Sequence, residues 1–86
     1  MTKREIINEM GFEEAVFFDS PEYDEAIIGL SEEGSVVYDF EIMVDILVKR
    51  DGMTAQEAGE FIAYNTIRAL PYAPEPKPVI MYHLWE

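Results

Sequence analysis

The chain has 86 residues, and its 18 acidic and 6 basic side chains give a formal net charge of −12 at pH 7. Residues 1–86 make one small domain, and a composition 49% hydrophobic and 13% aromatic is too apolar for a disordered acidic tail. So negative a chain does not seek phosphate backbones, which argues against direct nucleic-acid binding. The absence of cysteine excludes disulfides, thiolate metal sites, Fe–S clusters and a cysteine nucleophile.

In chain order, Thr2 can cap a first helix, with Glu5 as the second half of a capping box and Ile6, Ile7 and Met10 as its apolar stripe; Gly11 stops it. Ala15–Phe18 is β-branched and aromatic and reads as a strand, and Asp19–Glu22 around Pro21 reads as a turn. Ala26–Leu30 and Ser35–Tyr38 flank Ser31–Gly34 and predict a hairpin, Gly34 being free to take positive φ. Asp39 stands at an N-cap, and Phe40, Met43, Val44 and Leu47 recur at helical spacing up to Arg50. Ile42, Ile46 and Val48 widen that arc enough to predict a mostly covered helix. Thr54 and Glu57 form a second capping box before a helix to about Asn65, with Ala58, Phe61 and Ile62 on its buried face and Asn65 beside them as a cap or a satisfied core polar group. Thr66–Leu70 continues as an irregular or 3₁₀ turn ended by Pro71. Four prolines at 71, 74, 76 and 78 then give an extended connector to a last strand, Val79–Leu84.

The order α-β-β-β-α-α-β predicts an α+β domain, with a mainly antiparallel sheet and helices on one face; the strand order stays open. Lys3 and Arg4 are followed at once by Glu5 and by no apolar core, so no signal peptide is expected. The longest apolar runs are about four residues, far short of a membrane span. A cytoplasmic setting follows as the expectation.

The charge is unevenly spread. From Glu5 to Val48 there are thirteen acids and no Lys or Arg. One reading is a surface that only keeps the chain soluble; the other is a face built to meet a basic partner surface. Under the second, the residues to act are Asp19, Glu22, Asp24, Glu25, Glu32 and Glu33, all expected in turns where they project. Arg68 is expected to pair with an acid of the first half. Phe40, Tyr64, Tyr72, Tyr82 and Trp85 form a candidate apolar interface, since such rings have one apolar and one wet end.

Little points to catalysis or a cofactor. His83 is the only histidine and has no metal-binding motif around it. Ser20, Ser31 and Ser35 lie outside any nucleophile elbow. Counted as a calcium loop from Asp19, the glycine position holds Asp24 and the final glutamate position holds Leu30, so the pattern fails. No glycine-rich phosphate loop is present.

Asp24-Glu25-Ala26-Ile27-Ile28-Gly29 leading to Val37-Tyr38-Asp39, together with the run from Glu60 to Tyr72 and Pro78-Val79-Ile80-Met81-Tyr82, resembles a set of small acidic proteins of bacteriophages, prophages and mobile elements of Gram-positive bacteria. That set carries no established activity and so implies no catalytic residues. It implies a non-enzymatic accessory protein in the host cytoplasm, such as a nucleic-acid mimic or an inhibitor of a defence or nucleic-acid-handling enzyme. A structural homodimer or assembly subunit is the second expectation, and a small enzyme the third.

Overall fold

In the computed structural model, which describes residues 1–84, Thr2 begins helix α1, Lys3–Glu9, through both halves of its capping box. The Thr2 hydroxyl accepts the Glu5 N–H at 3.1 Å, and the Glu5 carboxylate accepts the Thr2 N–H at 3.1 Å. Such a cap is worth about 1 kcal/mol to a helix with one fully buried residue, Ile7.

A 3₁₀ helix, Pro21–Ala26, leads into the hairpin of β1, Ile27–Leu30, and β2, Val36–Asp39. The strands pair antiparallel, Ile27 with Tyr38 and Leu30 with Val36, with a bulge at Ile28. Helix α2, Phe40–Asp51, follows β2 without a loop. Asp39 ends the strand and caps the helix, its Oδ1 accepting the Ile42 N–H at 3.2 Å. Gly52 ends α2 at φ +70°, as its position predicts. Thr54 opens α3, Ala55–Asn65, with the second capping box, and a second 3₁₀ segment, Ile67–Tyr72, contains Pro71. Strand β3, Val79–Met81, then pairs parallel to β2, placing Tyr38 opposite Ile80 and Asp39 opposite Met81.

The α+β class holds, and four local expectations change. The sheet has order β1-β2-β3 and is mixed, not mainly antiparallel. Returning parallel to β2 needs a long crossover, which α2, α3 and the proline connector supply. Strand β3 stops at Met81, short of Leu84. Ala15–Phe18 is not a strand. Its aromatic content serves packing: the Phe18 ring lies 4.2 Å from that of Tyr38 and meets Tyr23 edge-on at 6.4 Å. Its backbone is satisfied by a side chain instead of a ladder, the Phe18 N–H donating to the Tyr38 hydroxyl at 3.0 Å. Pro21, expected in a turn, starts the first 3₁₀ helix.

The core is one cluster drawn from every element before the second 3₁₀ segment: Ile7, Tyr23, Ala26, Ile27, Val36, Tyr38, Met43, Leu47, Ala58 and Ile62. Only Met43 and Leu47 of α2 are fully buried, so much of its wide apolar arc is half-covered.

Tyr38 is wholly buried on the central strand. Tyr38→Phe keeps the ring stack and leaves the Phe18 N–H without its acceptor, which should lower unfolding free energy by about 1–3 kcal/mol. Tyr72→Phe, on a ring 89% exposed, should change it by less than about 0.5 kcal/mol; urea denaturation of the two variants checks both.

Candidate functional site

The basic side chains are occupied within the fold. Lys3 Nζ donates to the carbonyl oxygens of Glu25 at 3.0 Å and Ile27 at 2.6 Å. Arg4 holds Asp24 through two nitrogens, at 2.8 and 3.0 Å, donates to the Phe18 carbonyl at 3.3 Å and lies over the Phe17 ring at 4.5 Å. Arg50 bridges Glu22 at 2.8 Å and Asp51 at 2.9 Å, holding both carboxyls below the usual carboxylate range. Lys49 pairs with Asp45 at 2.8 Å and Lys77 with Glu75 at 3.0 Å. Arg68 stacks over Tyr64 at 5.0 Å and makes no ion pair among the described residues. Of the two arginines that pair with first-half acids, only Arg50 reaches back from beyond the acidic stretch, to Glu22.

This sorts the six acids read as a partner-facing set. Glu22 and Asp24 are neutralised by the two arginines on either side of the first 3₁₀ helix. Asp19 is exposed beside an apolar cleft of about 390 Å³ lined by Phe17, Phe18, Leu70 and Tyr72. Glu25, Glu32 and Glu33 are exposed and carry no ion pair among the described residues. Of the six, Glu22 and Asp24 are thus engaged by arginines, while the other four carry no ion pair among the described residues.

An acidic surface does form. Glu13 and Glu14, after α1, Glu33 of the hairpin loop and Glu75 of the proline connector line an open groove of about 650 Å³ with Phe12 and Pro76. Glu13, Glu14 and Glu33 are exposed and make no ion pair among the described residues, while Glu75 carries Lys77. Three chain segments meet there because of Gly34. At φ +90° it takes a conformation side chains rarely adopt, and a Cβ at this position would stand 3.1 Å from the Phe12 ring. The hairpin loop thus rests on Phe12 and brings Glu33 beside Glu13 and Glu14. The charge count contained these two residues, but their nearness to Glu33 depends on a contact between residues 12 and 34 that no local pattern announces.

A second cluster joins Asp39, Glu41 and His83. His83 Nε2 lies 2.6 Å from Asp39 Oδ2 and 3.6 Å from Glu41 Oε2. The hydrogen bond to Asp39 raises the His83 pKa above its ordinary value. Asp39 is 4% exposed; desolvation acts to raise its pKa, and the hydrogen bonds from His83 and the Ile42 N–H outweigh that and hold it low. The sequence could show Asp39 as a cap and Glu41 beside it, but not that β3 delivers His83 to them.

The aromatic set does not make one patch. Tyr82 packs on Phe40 at 4.9 Å, whereas Tyr64 and Tyr72 line different grooves; Trp85 lies outside the described residues. Asn65 is exposed and donates to the Phe61 carbonyl at 3.0 Å, so it is no core polar group. Ser31 accepts the Ser35 N–H at 3.1 Å and serves the hairpin. Among the described residues no helix is long and apolar enough to cross a membrane. No protein-family model, curated protein or solved structure matches the chain.

Gly34→Ala should destabilise the fold by about 1–3 kcal/mol, through the strained φ and the crowded Phe12 ring. Gly29→Ala, where a Cβ meets nothing within 4 Å, should shift it by no more than about 0.5 kcal/mol. Thermal unfolding of both separates the hairpin contact from a general loss of glycine.

Proposed function

We propose that the protein is a non-enzymatic binding protein of the cytoplasm whose acidic groove engages a basic surface of a partner protein. The carrying observation is the groove itself: Glu13, Glu14 and Glu33 converge from separate segments, stay exposed, and pair with no cation among the described residues. At physiological salt their field is screened over about 8 Å, so it acts at the distance where two surfaces dock and adds mainly to association rate and choice of partner. The first-half acids outside the groove that carry no cation, Glu9, Asp19, Glu25 and Glu32 among them, extend the negative field around it. A nucleic-acid-handling or defence protein, whose groove is basic, is the class of target that both the charge and the resemblance to small acidic phage and mobile-element proteins favour. Against an enzyme stands the position of His83, which lines neither the acidic groove around Glu33 nor the apolar cleft beside Asp19.

The test is capture from bacterial lysate by the immobilised wild-type chain and by the E13Q/E14Q/E33Q variant. A basic protein should be retained by the wild type, released by moderate salt, and bound by the variant with an association rate lower by roughly tenfold or more. Equal retention by both chains, or retention indifferent to salt, would contradict the proposal.

A further inference from the structure

We propose that Asp39, Glu41 and His83 form a binding site for one divalent transition-metal ion, with zinc as the reference ion. One carboxylate oxygen each of Asp39 and Glu41 and a ring nitrogen of His83 lie within 4.8 Å of one another. They come from the end of β2, the first turn of α2 and the segment after β3, so the fold brings the set together.

The donor set selects the ion. One imidazole and two carboxylates suit zinc and its first-row neighbours, whereas calcium takes six to eight oxygens. Zinc bonds of about 2.0–2.2 Å at tetrahedral angles place donor atoms about 3.3 Å apart. The 2.6 Å separation of His83 Nε2 and Asp39 Oδ2 is closer than that, as expected for a shared proton. A metal ion would replace that proton as the pair opens by less than about 1 Å. Glu41 already stands 3.6 Å from the imidazole, and its exposed side chain can close the rest by rotation.

The surroundings give the site one fixed point and one open side. Asp39 is buried and its Oδ1 is held by the Ile42 N–H, the kind of outer hydrogen bond that fixes a ligating carboxylate. Glu41 and His83 are exposed, leaving room for water to complete the coordination. The positive end of the α2 dipole opposes a cation with about half a unit charge, less than the two carboxylates offer. Bound zinc with neutral His83 would make the cluster electrically neutral and bring the chain from a formal charge of −12 to −10.

The experiment is calorimetric titration of Zn²⁺ into the full-length chain at neutral pH, repeated with His83→Asn, Glu41→Gln and E13Q/E14Q/E33Q. Expected is one tight equivalent in the wild type, weakened by at least about tenfold in His83→Asn and in Glu41→Gln and kept in the groove variant. Excess Mg²⁺ should leave it in place, and the His83 ring resonances should shift on zinc addition. No saturable equivalent would overturn the proposal and leave an Asp39–His83 ion pair only. So would binding unchanged in both ligand variants, or binding lost in the groove variant, which would mark diffuse attraction to the acidic surface. Glu41→Gln alters an exposed side chain, so its result stands even where His83→Asn perturbs the fold.

Discussion

Two arginines clamp one acidic 3₁₀ helix, and much of the molecule is arranged around that clamp. Arg4 reaches from α1 to Asp24, and Arg50 reaches from the end of α2 to Glu22. Between them the Pro21–Ala26 segment delivers Tyr23 and Ala26 to the core and leads directly into β1. Each pair is partly exposed and on its own worth about 0–1 kcal/mol. Their effect is positional: they decide where two helix ends sit on the sheet side of a chain with only six basic side chains. The same scarcity settles what is left over. With Lys3 on two carbonyls, Lys49 and Lys77 on near neighbours in sequence, and Arg68 on a tyrosine, Glu13, Glu14 and Glu33 have no counter-ion among the described residues. Their field faces solvent.

Features controlled by a few consecutive residues were legible in the sequence. Both capping boxes, the Asp39 cap, the hairpin and the Gly52 stop depend on contacts three to five residues apart, and each stands where its local pattern puts it. The failures lie where distant contacts decide. Ala15–Phe18 has strand composition, yet Tyr38, twenty residues on, supplies both a ring and a hydroxyl, so the segment packs without pairing. The direction of β3 depends on how two helices return the chain, which hydrophobic spacing does not encode.

The candidate sites divide the same way. Counting acids located the negative half correctly as a region of sequence, but choosing turns as the places where charge projects selected Glu22 and Asp24, which the arginines cover. Glu13 and Glu14, the two residues after Phe12, gain their place in the groove only through the Phe12–Gly34 contact. His83 looked solitary because its partners stand more than forty residues earlier. In both clusters, residues unremarkable in sequence acquire a role from the central strand and the loop that precedes it.

If the groove acids are retained for binding and not for stability, they must repel one another in the folded chain. The direct measurement is the urea midpoint of the wild type and of E13Q/E14Q/E33Q as sodium chloride rises from about 0.01 to 0.15 M, which shortens the screening length from about 30 to 8 Å. The account predicts that the wild-type midpoint rises with salt. The variant should begin higher at low salt and rise less. A wild-type midpoint that falls with salt, or a variant that follows the wild type throughout, would contradict it.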